Sequence, residues 1–131
     1  MKYRLLDILA CPICKNFPLK LIVFSENQYS YEVELEKKVL CEEYCGLQGK
    51  FISELKGVEL DCRSCLQREV AEGLLICGNC NRWYPIIEEI PHMLPDELRN
   101  KDQDLAFLKR YKDKIPEEVL LSGKPWSLSE T

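Results

Sequence analysis

Eight cysteines arranged in four close pairs constrain this 131-residue chain more than any other feature. Cys11 and Cys14 stand in CPIC, Cys41 and Cys45 in CEEYC, Cys62 and Cys65 in CRSC, Cys77 and Cys80 in CGNC. A tight turn that carries two cysteines can aim both thiolates at one ion, and two such turns close the tetrahedral shell of a structural metal site. One C-x-x-C would be a weak signal; four close pairs are a strong one. The opening MKYRLLDILAC is no secretory signal, because Asp7 interrupts an apolar stretch that is already short. Cysteines used in this way point to a reducing, cytoplasmic setting and to metal rather than a disulfide framework.

Spacing suggests how the pairs combine. Sixteen residues separate Cys45 from Cys62, the range of a compact zinc ribbon. The outer pairs would then meet across a long insertion, whose closure entropy rises only logarithmically with length. The expectation is a nested arrangement, with Cys11, Cys14, Cys77 and Cys80 outside and Cys41, Cys45, Cys62 and Cys65 inside. Sequential and interleaved pairings stay open. The outer set is expected to bind one zinc. For the inner set a second metal, disulfides and reduced buried thiols are all readings of the same residues. Spacing does not separate zinc from iron.

The rest of the composition narrows the class. The hydrophobic fraction of 46% allows a core, and the charged fraction of 31% and the lack of a long apolar run argue against a membrane span. A net charge of −4 opposes tight, independent binding to nucleic acid, where phosphate neutralisation dominates affinity.

Along the chain, KYRLLDILA spaces its leucines as a helix would, and Pro12 stops it. PLKLIVFS and YSYEVELEKKVL read as two strands joined by ENQ, the second alternating Tyr31, Val33 and Leu35 with glutamates. EGLLIC is expected to enter the last cysteine pair as a strand. RWYPII should leave it as another, with Pro85 favouring an edge. Residues 96–114 form a helix candidate with Leu98, Leu105, Leu108 and Tyr111 on one face. Pro116 can open a second short helix that Gly123 closes. The last residues are expected to be mobile unless Trp126 anchors them.

Catalytic machinery is missing from the pattern. The single histidine, His92, sits in apolar IPHML with no nucleophile to serve. Glu88 and Glu89 are adjacent, so on a strand they face opposite ways and make a poor carboxylate pair. No phosphate-binding glycine loop and no βαβ setting for a redox C-x-x-C occurs. The chain therefore reads as a non-enzyme. Two readings are a zinc-ribbon module of the transcription or ribosome machinery and a rubredoxin-like electron carrier.

A third comes from both ends of the chain. VAEGLLICGNCNRWYPIIEEIPHMLP, with KYRLLDILACPIC and NFPLKL before it, resembles the small zinc-binding multifunctional methyltransferase subunits of archaea and eukaryotes. The resemblance covers residues 1–24 and 70–97, with motifs in the same order at both ends. It implies a protein without catalytic activity that binds, solubilises and activates S-adenosylmethionine-dependent methyltransferases as a heterodimer. Their targets include tRNA, rRNA and translation release factors. Three departures stand out: Glu89 occupies a position where the family has glycine, the insertion carries four extra cysteines, and a charged helical tail follows Pro95.

The expected fold class is α+β. It comprises a zinc-ribbon-like domain with a small antiparallel sheet and an N-terminal helix, a Cys-rich insertion between the two metal knuckles, and a helical C-terminal tail. The expected division is residues 1–24 plus 70–95 as the zinc-binding, partner-interaction domain, 25–69 as the insertion and 96–131 as the extension. Within the first unit, Leu5, Leu6, Ile8 and Leu9 are expected to join Trp83, Tyr84, Pro85, Ile86, Ile87, Ile90, Pro91, Met93 and Leu94 in one apolar, partner-binding surface. A strand over Arg82–Ile87 lying at a sheet edge could extend a partner's sheet.

Overall fold

The computed structural model describes residues 1–35 and 39–130. Its frame is a four-stranded antiparallel sheet in the order β1-β4-β5-β6, built from Lys20–Gln28, Arg68–Ile76, Trp83–Ile87 and Ile90–Pro91. Two short strands, β2 (Tyr44–Cys45) and β3 (Lys50–Phe51), pair separately as a hairpin inside the insertion. The helices are α1 (Cys62–Leu66), α2 (Lys101–Arg110) and α3 (Glu117–Ser122). The architecture is the expected α+β, zinc-ribbon-like one.

Register explains why the two ends of the sequence meet. Lys20 pairs with Ile76 and Gln28 with Arg68, so the start of β1 lies beside the end of β4. Ile76 in turn pairs with Trp83, which makes residues 77–82 the turn of the β4–β5 hairpin. Both outer cysteine pairs therefore sit at one end of the sheet.

Alternation along the strands gives the sheet two apolar faces, each with its own cover. On one face Leu75, Tyr84 and Ile86 pack with Met1, Tyr3, Leu6, Leu19, Cys11 and Cys77. On the other, Leu74 and Trp83 pack with Leu105, Phe107, Leu108, Ile115 and Val119 of the C-terminal helices. Trp83 and Phe107 stack with ring centroids 6.1 Å apart, and Phe24 stacks on Tyr111 at 4.5 Å. Gly123 passes so close that a Cβ there would meet Trp83 Cδ1 at 2.9 Å.

Several expectations need correction. The N-terminal helix is a 3-10 turn over Tyr3–Asp7, not an α-helix. Its three-residue period lines up buried Tyr3 and Leu6 on one side before the chain turns toward Cys11. The strand β1 continues through ENQ instead of turning there, because after a bulge around Ser25 the residues Glu26, Asn27 and Gln28 pair with Val70, Glu69 and Arg68 of β4. No strand forms over the described part of YSYEVELEKKVL; residues 36–38 lie outside the described residues. Its alternation has no partner strand, since β4 is flanked by β1 and β5. The 96–114 helix divides into a 3-10 turn, α2 and a second 3-10 turn. Asn100 caps α2 by accepting from the Gln103 N–H at 3.0 Å, and Leu98 falls outside the helix, 65% exposed. Pro116 and Gly123 do bound α3. The tail is docked, with the Trp126 carbonyl accepting from Trp83 Nε1 at 3.0 Å and Trp126 Nε1 donating to Asp104 at 3.0 Å.

Pro85 is accommodated as its chemistry requires. Its carbonyl accepts from the His92 N–H at 2.9 Å, so its missing N–H faces the β6 side and leaves the β4 ladder intact. The β5–β6 turn places Glu88 at φ 49° and Glu89 at φ 69°, the two positive angles of a type I′ hairpin. Glycine would adopt these without strain, and here side chains hold them instead. Asn27 donates to the Glu89 carboxylate at 3.3 Å and Tyr29 at 3.1 Å, while the Glu89 N–H reaches the Ala71 carbonyl at 3.0 Å.

Candidate metal centre

The two outer cysteine pairs adopt the same backbone turn. In the first, the Lys15 N–H donates to the Cys11 carbonyl at 2.8 Å and the Cys11 N–H to the Asn16 carbonyl at 3.0 Å. In the second, Asn81 N–H donates to the Cys77 carbonyl at 3.0 Å and Cys77 N–H to the Arg82 carbonyl at 2.8 Å. Each turn closes with the residue after its second cysteine at positive φ, Lys15 at 66° and Asn81 at 61°. Asparagine tolerates that region well, which suits the second knuckle.

The turns face each other across the end of the sheet. The sulfurs of Cys11, Cys14, Cys77 and Cys80 all lie within 4.8 Å of one another. Cys11 to Cys80 is 3.6 Å and Cys14 to Cys77 is 3.4 Å. A tetrahedron with metal–sulfur bonds of about 2.3 Å has edges of about 3.8 Å, so these four fit one ion with little movement. They can hold a metal. Cys11 and Cys77 are fully buried, and all eight cysteines are free of disulfides.

Surrounding groups orient the sulfurs. The Asn79 side chain and the Asn16 N–H pull the Cys14 thiol down to about 6. Burial pushes the neighbouring Cys77 thiol up to about 12. Burial opposes ionisation of Cys11, but the Cys14 N–H and the Tyr84 hydroxyl, 3.2 Å from its sulfur, outweigh it and leave the thiol below its ordinary value. Arg82 makes a bidentate pair with Asp96 at 2.9 and 2.7 Å and also lies against Cys80; both contacts raise its pKa. Tyr84 and Arg82 are thus outer supports of the site, which orient ligands and tune them. Sequence reasoning missed both roles, since each residue sits in an ordinary strand pattern.

The inner four cysteines are placed differently. Cys41, Cys45, Cys62 and Cys65 line one small cavity, but among the described residues only the outer four converge within 4.8 Å. Burial pushes the Cys41 thiol up to about 11 and the Cys65 thiol to about 12.

The expected partner surface needs a substantial correction. Trp83, Tyr84 and Ile86 are completely buried within the chain, and Leu6 and Pro85 are buried too. The C-terminal helices cover the Trp83 face, and the N-terminal turn and metal site cover the Tyr84 face. Nor is β5 an open edge, since β4 and β6 flank it and the Trp83 N–H donates to the Lys124 carbonyl. Ile8 at 74%, Ile90 at 59% and Leu94 at 39% are exposed, while Leu5, Leu9, Ile87, Pro91 and Met93 are half-buried. His92 stays away from the four sulfurs' shell and contributes a backbone N–H to β5. No helix among the described residues is long and apolar enough to cross a membrane.

A small antiparallel sheet with two cysteine knuckles converging at one end defines a zinc-ribbon-like fold whose four thiols could hold a metal ion. The Trm112p-like protein family matches residues 2–89, well over half of the chain, and the chain belongs to that family. A "Multifunctional methyltransferase subunit trm112" of Schizosaccharomyces pombe (strain 972) is 53% identical over 32 residues. That match spans 24% of this chain and 25% of the relative, so the chain covers about a quarter of the relative's length.

Proposed function

We propose that the chain is a non-catalytic, zinc-binding subunit that binds, stabilises and activates S-adenosylmethionine-dependent methyltransferases acting on tRNA, rRNA or a translation release factor. It works as a cytoplasmic heterodimer. The observation that carries this reading is family membership across residues 2–89, a span that includes all four outer cysteines and the apolar residues Leu5, Leu9 and Trp83 beside them. The name of the S. pombe relative agrees with it. Zinc is supported as the ion by family membership and by four sulfurs at near-tetrahedral separation, which suit a closed structural shell. Cys11, Cys14, Cys77 and Cys80 would hold it.

In this reading residues 1–24 and 70–95 form the partner-binding body, 25–69 an insertion, and 96–131 an extension that covers the second face of the sheet. The partner site is what remains open: Ile8, Ile90 and Leu94, with half-buried Leu5, Leu9, Ile87, Pro91 and Met93. Leu5 and Ile8 line the same groove as Glu89, the neighbour of Ile90, and β6 is an edge strand of the sheet. A methyltransferase with an exposed apolar face gains stability by mass action when that face is covered, about 2.7 kcal/mol at a subunit concentration of 100 Kd. No residue of this chain need reach the substrate. Co-expression of the full chain with a methyltransferase that is poorly soluble alone should give a soluble, zinc-containing heterodimer with raised methyl transfer. Unchanged solubility and activity across such partners would contradict the reading.

A further inference from the structure

We propose that Cys41, Cys45, Cys62 and Cys65 form a second thiolate site for one zinc-class divalent ion, and that this ion holds the insertion together. The proposal does not rest on the methyltransferase reading. Its first support is a shortage of core. Between positions 25 and 69 only Cys45 and Leu55 are buried among the described residues. The insertion's own structure is a hairpin with two-residue strands, a one-turn 3-10 element and a five-residue helix. A segment of about forty residues with so little apolar burial needs a staple, and its four cysteines are free thiols.

The second support is that both halves of such a site are already positioned. The Asp7 carboxylate accepts from the N–H groups of Glu42, Glu43 and Tyr44 at 3.0, 2.8 and 2.8 Å, fixing the turn from Cys41 to Cys45. Gly46 seals that turn against the N-terminal 3-10 element, where a Cβ would lie 2.1 Å from the Tyr3 carbonyl oxygen. Opposite, Asp61 caps α1 by accepting from Ser64 N–H at 3.0 Å, which places Cys62 and Cys65 in its first turn. The four cysteines line a cavity of about 20 Å³, room for a single water or ion. Arg4 lines it too, a fixed positive charge beside what would become a doubly negative tetrathiolate. On binding, four S–H groups release four protons to solvent as four sulfur–metal bonds form. The sulfurs stand wider than the outer set, so the ion draws the two turns together.

The test uses the full chain purified under reducing conditions, stripped of metal, and titrated with cobalt(II) alone while tetrahedral thiolate absorption is followed. Absorption should rise through two equivalents in the wild type and through one in Cys62→Ser/Cys65→Ser. Native mass of the untreated wild type should likewise show two ions per chain, a result that stands even if the variant fails to fold. One ion per wild-type chain, or a stoichiometry the double variant leaves unchanged, would overturn the proposal. So would an intact mass showing the inner cysteines joined as disulfides in protein isolated under reductant.

Discussion

The two sets of four cysteines differ in what positions them. The outer set sits on two turns anchored at one end of paired strands: the β1–β4 register and the β4–β5 hairpin deliver both knuckles to one place, and their sulfurs already lie 3.4–3.6 Å apart in pairs. The inner set sits on short elements gripped mainly by side chains, Asp7 on one turn and Asp61 on the other. Turns anchored to a sheet bring their sulfurs together in advance, whereas in the proposed second site turns held by side chains would be drawn together by an ion. The outer ion should therefore be bound more tightly and support the whole fold, and the inner ion should support the insertion.

The sharpest way to break that contrast is Cys77→Ser. Structural zinc contributes on the order of 10 kcal/mol, about a whole domain's stability, so the variant should be unfolded or aggregated by circular dichroism. A folded, zinc-free variant would contradict it. Next in size is Arg99→Met. Arg99 is buried, donates to Asp104 at 2.8 Å and lies over the Trp83 ring at 4.5 Å, holding the C-terminal extension to β5. Leaving Asp104 without its cationic partner, with only Trp126 Nε1 still donating to it, should cost about 3 kcal/mol, read by urea denaturation, with the outer cysteine site unchanged.

Tyr84→Phe and Asp7→Asn separate the two sets. Loss of the hydroxyl beside Cys11 should weaken the outer site about 10-fold and leave the inner one unchanged. Asp7→Asn should do the reverse. Burial opposes the charged form of Asp7, but the N–H groups of Glu42, Tyr44 and Glu43 outweigh it and hold the carboxyl below its usual value. Its contribution is present above the unfolded-state pKa and is lost as pH falls through the lower folded value. Acid should therefore loosen the insertion in the wild type, and Asp7→Asn should show the loosened state at neutral pH by amide hydrogen exchange. The smallest effect lies outside both sets. Glu88→Gly relieves a positive φ and should stabilise the chain by about 0.5–1 kcal/mol in thermal unfolding with both metal sites unchanged.

What could be read from residues alone follows from range. Spacing alone points to the meeting of Cys11, Cys14, Cys77 and Cys80, and Pro116 opens α3 through its own backbone preference while Gly123 closes it. The apolar run WYPII is expected in a partner surface, and the chain's own segments cover most of it instead. Trp83 and Ile86 face opposite sides of the sheet, and their covers, Phe107 and Leu6, come from distant segments. Alternation of Tyr31, Val33 and Leu35 suggested a strand, but a strand exists only where a neighbour offers its free edge. Nothing in the sequence marks Asp7 or Arg99 as structural, because hydrogen bonds to remote backbone leave no periodic trace.

The central claim is that zinc and sheet assemble a partner surface whose open part is the Ile8–Ile90 rim. The direct measurement is binding of an Ile8→Asp/Ile90→Asp variant to a methyltransferase partner by calorimetry, alongside its zinc content and thermal unfolding. Each isoleucine buried in an interface contributes roughly 1.5–3 kcal/mol, so affinity should fall by about 100-fold or more while zinc and stability hold. A variant that keeps its zinc and fold and binds as tightly as the wild type would place the interface elsewhere and contradict the account.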